Sequence, residues 1–66
     1  MLVKINGVEN EIDKGITVAD LIRSKKLKPE VVVVELNQKV IDSLDWGKIS
    51  VKEGDVLEII SFVGGG

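Results

Sequence analysis

Only one segment of this chain of 66 residues has the apolar spacing of a helix, and a strong β-hairpin signal precedes it. The dipeptide Asn6-Gly7 favours a type I′ turn, because both central positions of that turn need a positive φ. Strand-like sequences flank it at residues 1–5 and 8–12, and the second alternates with the period of a half-buried strand. The chain is therefore predicted to begin with a β-hairpin.

The helix is predicted over residues 18–26. Thr17 is a suitable N-cap, and Asp20 three residues later makes an acidic variant of the capping box. Pro29 prevents the helix from continuing, because proline disfavours helical geometry at the residue before it. Three apolar side chains share one face of the segment: Val18, Leu21 and Ile22.

Further strands are expected after the helix. Residues 31–36 form a β-branched run that is too short and too rich in valine for a helix, so they predict an inner strand. Residues 39–41 predict a short strand after a turn, and residues 56–62 predict the final strand. The loop between these two strands should contain a turn of helix, with Leu44 and Trp46 packed inward.

The resulting order, ββαβββ, predicts the α+β class, with a mixed β-sheet and one main helix packed on one face. The last strand can pair in parallel with the first, because the helix connection permits that crossover. This is the β-grasp, or ubiquitin-like, arrangement; a ferredoxin-like fold would need a second helix, which no segment supplies. Residues 1–63 are expected to form this domain, and residues 64–66 a flexible glycine tail.

The composition argues against a conventional catalytic site. The chain has no histidine to act as a general base and no cysteine to act as a nucleophile. Neither a metal site nor a cofactor is expected. A net charge of −2 argues against a nucleic acid partner, and the lack of a long apolar stretch argues against a membrane. The opening residues do not resemble a signal peptide, so the cytoplasm is the expected location.

The sequence ends in a bare glycine tail directly after the last strand. Gly64, Gly65 and Gly66 have no Cβ, so they can adopt conformations closed to other residues and enter a narrow channel. Three residues reach at most about 10 Å, which is enough to bring the α-carboxylate of Gly66 into a partner's active site. A frayed chain end is the alternative interpretation.

Strand alternation predicts which side chains face away from the helix. Glu58 and Glu35 should point to solvent, so apolar residues at the same parity in their strands should do so as well. The predicted outer face thereby carries a contiguous apolar patch that adjoins the tail: Leu2, Val33, Ile60 and Phe62. Such a patch usually marks a surface that binds a partner, although single exposed apolar residues are also common.

Over its whole length the chain resembles the sulfur carrier proteins of thiamine biosynthesis, the ThiS family. The matching residues are Asn6-Gly7, the helix entry at 16–22, residues 34–37, Trp46, residues 54–60 and the ending at 62–66. The pair Gly65-Gly66 is common to ubiquitin-like sulfur carriers in general. The short length, Trp46 and the Phe-Val-Gly-Gly-Gly ending are typical of the thiamine branch.

The resemblance implies a function as a cosubstrate and not as an enzyme. An E1-like adenylating enzyme of the ThiF type would use ATP and magnesium to convert the Gly66 carboxylate into an acyl adenylate. Sulfur from a persulfide, supplied by a cysteine desulfurase, would then displace AMP and leave a C-terminal thiocarboxylate. A thiazole synthase of the ThiG type would consume that sulfur.

Two alternatives remain open at this point. The chain could be the small subunit of molybdopterin synthase or a carrier for another sulfur-containing metabolite, since the Gly-Gly ending is shared. It could also be a modifier that is conjugated to other proteins, or an interaction module with an inert tail.

Overall fold

A computed structural model of the protein describes residues 1–62. Short 3₁₀ helices at Pro29–Val31 and Ser43–Lys48 accompany the main elements. These main elements, in chain order, are β1 at Leu2–Ile5, β2 at Val8–Glu11, α1 at Val18–Ser24, β3 at Val32–Leu36, β4 at Lys39–Ile41 and β5 at Val56–Ser61.

The strands form one mixed sheet in which β5 is the central strand. The spatial order is β2-β1-β5-β3-β4. β5 runs parallel to β1, with Lys4 opposite Val56, and antiparallel to β3, with Val34 opposite Ile59. The predicted α+β class, the ββαβββ order and the parallel pairing of the first and last strands are confirmed.

Both tight turns between adjacent antiparallel strands use left-handed backbone conformations. Asn6 and Gly7, between β1 and β2, have φ values of 52° and 82°, which confirms the predicted turn with a positive φ at both positions. Asn37 and Gln38, between β3 and β4, have φ values of 52° and 73°. Asparagine tolerates this region better than most residues, because its short amide can form local hydrogen bonds there.

The predicted capping box begins α1. The Thr17 hydroxyl accepts a hydrogen bond from the Asp20 N–H, and the Asp20 carboxylate accepts one from the Thr17 N–H, each at 3.1 Å. The helix ends at Ser24, two residues before the predicted end. Lys26 leaves the helix with a φ of 59°, and its N–H donates to the carbonyl of Arg23 at 3.0 Å. A left-handed residue here closes the helix before Pro29 is reached.

The core lies between α1 and one face of the sheet. The predicted apolar face of the helix, Val18, Leu21 and Ile22, is confirmed as buried, and it forms one continuous cluster with inner side chains of the strands, against which the half-buried Leu36 packs. Its members are Val3, Ile5, Val18, Leu21, Ile22, Val32, Val34, Trp46, Val51, Leu57 and Ile59. The opposite side of the sheet, which α1 does not cover, is called the outer face below.

One residue predicted to be in the core is exposed. Trp46 is buried and donates its indole N–H to the carbonyl of Ile41 at 3.1 Å, as expected for a core residue. Leu44, however, is 83% exposed, so the prediction that it packs inward is wrong. A 3₁₀ helix has about three residues per turn, so residues two apart point in different directions. Trp46 is the residue of Ser43–Lys48 that points into the core, and Leu44 points to solvent.

The second strand is also less buried than its alternation suggested. Val8 shares the inner parity with Ile5, its partner in the hairpin, yet it is 63% exposed. β2 is an edge strand, and Val8 stands where the hairpin turns beyond the core cluster. Alternation therefore predicted the side of the sheet correctly but not the extent of burial.

The capping box should make the stability of α1 sensitive to acid. The hydrogen bond from the Thr17 N–H is the main cause that holds the pKa of Asp20 below its ordinary value of 3.8. Because the folded pKa is the lower one, the stabilisation is present above the ordinary value and is lost as pH falls through the folded pKa. We expect Asp20→Asn to reduce the loss of stability on acidification, measured by urea unfolding at a series of pH values.

The matched control is Asp13→Asn, because the Asp13 carboxylate accepts no hydrogen bond within residues 1–62. This variant should keep the acid dependence of the unsubstituted protein. An Asp20→Asn variant with the same acid dependence as the unsubstituted protein would show that the capping box does not contribute to it.

Candidate docking face of the sheet

The outer face is defined by the register of β5 against β3. Ile60 lies opposite Val33, and Glu58 lies opposite Glu35. Along β5, Glu58 and Ile60 alternate with Leu57 and Ile59, which are buried in the core. Because successive side chains of a strand point to opposite sides, one strand carries both core and candidate docking residues.

An apolar patch lies at the end of β5 from which the chain continues toward the glycines. We call Val33, Ile60 and Phe62 the tail-side patch. Ile60 is 41% exposed and Phe62 is 63% exposed, whereas Val33 is half-buried. The N–H of Phe62 donates to the carbonyl of Val31 at 2.7 Å, so the patch stays attached to the sheet up to the last described residue.

Leu2 was predicted to belong to the same patch, but it lies on another part of the outer face, away from Ile60. β1 runs parallel to β5, and the carbonyl of Leu2 accepts a hydrogen bond from the N–H of Gly54 at 2.8 Å, just before β5 begins. At the rise of a strand, Gly54 and Ile60 are separated by about 20 Å. Leu2 lines a separate depression of about 340 Å³ that also contains Glu9 and Val56.

The two asparagines of the tight turns hydrogen-bond to β5, Asn37 at its first residue and Asn6 in its second half. The carboxamide of Asn6 accepts a hydrogen bond from the N–H of Ile59 at 2.7 Å and donates to the carbonyl of the same residue at 3.2 Å. The carboxamide of Asn37 accepts from the N–H of Val56 at 3.0 Å and donates to the carboxylate of Asp55 at 3.1 Å. Beyond the end of β1, the Asn6 side chain thereby makes the hydrogen bonds that the backbone of a neighbouring strand would make. These bonds anchor the part of β5 that leads to the patch.

Charge is distributed unevenly between the two sides of the protein. Lys4 is the basic member of the outer face, which carries four acidic residues by strand register: Glu9, Glu11, Glu35 and Glu58. A cluster of basic residues instead lies in the last turn of α1 and just after it: Arg23, Lys25, Lys26 and Lys28. The salt bridge found within residues 1–62 joins Arg23 to Asp20 at 3.1 Å. The acidic residues of the outer face therefore have no cationic partner among the described residues. The sequence indicated that Glu35 and Glu58 face outward, but only the register shows that they oppose each other.

The part of the chain that the structure describes offers no constellation for metal chemistry. No group of three or more His, Cys, Asp or Glu side chains in it is placed to hold a metal ion. Across the same residues, no helix has the length and apolar character needed to cross a membrane.

The predicted sulfur site lies outside the described residues. Val63, Gly64, Gly65 and Gly66 are not among the residues that the structure describes. The proposed reactive carboxylate of Gly66 and the division into a domain of residues 1–63 and a tail of residues 64–66 therefore stay predictions. The last described residue is Phe62, which belongs to the tail-side patch.

Comparison with known proteins gives consistent matches over the whole chain. The sequence profile of the ThiS family matches residues 3–66. The sulfur carrier protein ThiS of Bacillus subtilis is 36% identical over 67 residues, a match that covers 98% of this chain and 100% of that protein. A crystal structure of the thiamine biosynthesis protein ThiS from Geobacter metallireducens superimposes with a TM-score of 0.84 at 33% identity, and the match covers 100% of both chains.

Some relatives are much longer proteins. A thiazole synthase of Magnetococcus marinus is 32% identical over 66 residues, which is 100% of this chain but 20% of that protein. A thiazole synthase of Paramagnetospirillum magneticum is 33% identical over the same span. This chain therefore spans about one fifth of the length of these curated relatives.

The asparagine contacts predict that loss of either side chain speeds hydrogen exchange at a different residue of β5. Glycine accepts a positive φ without strain, so Asn6→Gly and Asn37→Gly remove the side-chain hydrogen bonds but keep the turns. We expect each variant to lose about 1 kcal/mol of stability. Asn6→Gly should speed amide hydrogen exchange at Ile59 more than at Val56, and Asn37→Gly should do the reverse. The two variants control for each other, and an identical exchange pattern in both would contradict the assignment.

Proposed function

This chain belongs to the ThiS family of sulfur carrier proteins, and we propose that it carries sulfur as a thiocarboxylate on Gly66 for thiazole formation. The observation that carries the proposal is the ThiS match through residue 66, which includes the glycine ending, on a sheet whose central strand leads to that ending. The carrier is a cosubstrate, and the groups that catalyse each step belong to its partners.

The chemistry explains why a partner must first activate the carboxylate. A carboxylate is a poor electrophile and must first gain a better leaving group. Its oxygen attacks the α-phosphate of ATP, with magnesium, and pyrophosphate leaves, which gives an acyl adenylate. The terminal sulfur of a persulfide then attacks the acyl carbon, and AMP leaves. A thiol cleaves the resulting acyl disulfide, which leaves one sulfur on Gly66 and a disulfide on the donor. Because the chain has no cysteine, it cannot carry a persulfide on a side chain of its own.

The partners follow from these steps. An adenylating enzyme of the ThiF type activates the carboxylate, and a cysteine desulfurase supplies the persulfide sulfur. A thiazole synthase of the ThiG type receives the sulfur. Support for this last partner comes from the thiazole synthases that contain a segment similar to this whole chain. The same observation favours the thiamine pathway over molybdopterin synthesis and over protein conjugation.

The tail-side patch supplies the binding energy that the glycines lack. Ordering each glycine in a partner's channel costs roughly 1–2 kcal/mol. Ile60 is 41% exposed and Phe62 is 63% exposed, so burial of their remaining surface contributes about 1–2 kcal/mol each. Docking of the patch can therefore offset part of the cost of ordering the tail. The hydrogen bond from the Phe62 N–H to the Val31 carbonyl keeps the patch attached to the sheet.

Intact mass measures the proposed product directly. The protein is incubated with ATP, magnesium, a cognate adenylating enzyme, a cysteine desulfurase and cysteine. We expect a mass gain equal to the replacement of one oxygen by sulfur. No gain with an enzyme preparation that is active on a known carrier would contradict the proposal.

Gly65→Ala should slow adenylation while the fold stays intact. The added Cβ obstructs entry into a narrow channel, and a small misplacement of the reacting carboxylate lowers the rate by about tenfold or more. Adenylation is measured by pyrophosphate release, and the fold by melting temperature. Gly47→Ala is the matched control, because its Cβ would meet no atom within 4 Å and its φ is not positive. A normal rate for Gly65→Ala would refute the threading argument.

Ile60→Asp and Phe62→Asp should weaken binding to the adenylating enzyme by about tenfold or more, because a charge replaces apolar contact area. These substitutions should weaken binding more than they lower the melting temperature, since both side chains are largely solvent-accessible and lie outside the core cluster. Leu44→Asp controls for loss of an exposed apolar residue outside the sheet, in the 3₁₀ helix Ser43–Lys48, and it should bind normally. Variants that lose stability but keep their affinity would place these side chains in a structural role.

A further inference from the structure

The middle of the outer face contains a pair of like charges. Glu35 on β3 and Glu58 on β5 lie directly opposite each other in the register. The Cβ atoms of such a pair are about 5 Å apart, and like charges at this spacing oppose sheet formation. Glu58 is exposed and Glu35 is half-buried, so water screens this repulsion only in part.

No cation within residues 1–62 neutralises the pair. Lys4 is the nearest candidate by register, because it lies opposite Val56, two residues from Glu58 along β5. Its amine forms no ion pair there, and Glu9 on β2 is its direct cross-strand neighbour. The basic cluster around the end of α1 forms no ion pair with Glu35 or Glu58 within residues 1–62, where the salt bridge found joins Arg23 to Asp20.

The surroundings of the pair are those of a binding surface. Toward the tail it adjoins the cross-strand pair of Val33 and Ile60, and in the other direction it adjoins Val56, which is 42% exposed. The pair lies about 13 Å from Phe62 along β5 at the rise of a strand. A partner that covers the tail-side patch and extends along β5 therefore covers both carboxylates.

We propose that the outer face docks a partner protein that places an arginine or lysine between Glu35 and Glu58, with apolar side chains against Val33 and Ile60. This inference rests on the proposed function, in which that partner is the adenylating enzyme. A guanidinium can form charge-assisted hydrogen bonds with both carboxylates at once, and burial between apolar neighbours strengthens them. The repulsion in the free carrier becomes attraction in the complex, so the pair selects a partner by charge as well as by shape.

Removal of the two charges should change stability and binding in opposite directions. In Glu35→Gln/Glu58→Gln the repulsion is gone, so the melting temperature should stay the same or rise. The KM for the carrier in adenylation should rise about tenfold, which is the size expected for loss of charge-assisted hydrogen bonds. The KM of the double variant should also depend less on salt than that of the unsubstituted carrier, because fewer charges meet in the complex.

The matched control is Glu9→Gln/Glu11→Gln, which makes the same change in net charge on the same face, at the edge strand β2. It should keep a KM near that of the unsubstituted carrier. An equal rise of KM in both double variants would show a general effect of the acidic face and overturn the located contact. An unchanged KM in Glu35→Gln/Glu58→Gln, or a lower melting temperature without a KM change, would also overturn it.

The outcome for the unsubstituted carrier separates this inference from the proposed function. If it forms the thiocarboxylate and the Glu35→Gln/Glu58→Gln variant does so with the same KM, only the inference fails. If the unsubstituted carrier is not adenylated by an active cognate enzyme, the proposed function fails, and the inference fails with it.

Discussion

The placement of β5 between β1 and β3 is the constraint on which the rest of the structure depends. As the central strand it has neighbours on both sides, and its inner side chains Leu57 and Ile59 complete the core. Its outer side chains, at alternate positions, form the candidate docking face. Asn37 and Asn6 add side-chain hydrogen bonds to its first residue, Val56, and to Ile59. Folding of the core therefore also positions the candidate docking face.

This arrangement separates stability from recognition within a small protein. The core is built on one side of the sheet, so the apolar and acidic residues of the outer face are free to meet a partner. The cross-strand pairs Val33–Ile60 and Glu35–Glu58 lie side by side along β3 and β5. The proposed recognition therefore combines apolar contact area near the end of β5 with charge in its middle.

Much of the fold could be predicted from local sequence patterns, because these patterns encode local geometry. The Asn6-Gly7 turn, the Thr17–Asp20 capping box and the alternation in β5 each follow from interactions within a few residues. Leu44 was misplaced because the direction of a side chain in a 3₁₀ helix depends on which neighbour, here Trp46, packs inward. The separation of Leu2 from Ile60 could not be predicted either, because alternation indicates a face but not a position along the strand. The contact between Asn6 and Ile59 likewise depends on the pairing of distant segments.

The central claim is that the α-carboxylate of Gly66 is the atom group that receives sulfur. A semisynthetic carrier that ends in a carboxamide at Gly66 differs from the natural acid only at that group and should fold and dock normally. With the adenylating enzyme and sulfur donor, the acid should gain one sulfur for one oxygen, located by mass spectrometry on the C-terminal peptide, and the carboxamide should gain none. Sulfur found on the carboxamide protein, or on any other peptide of the acid, would contradict the account.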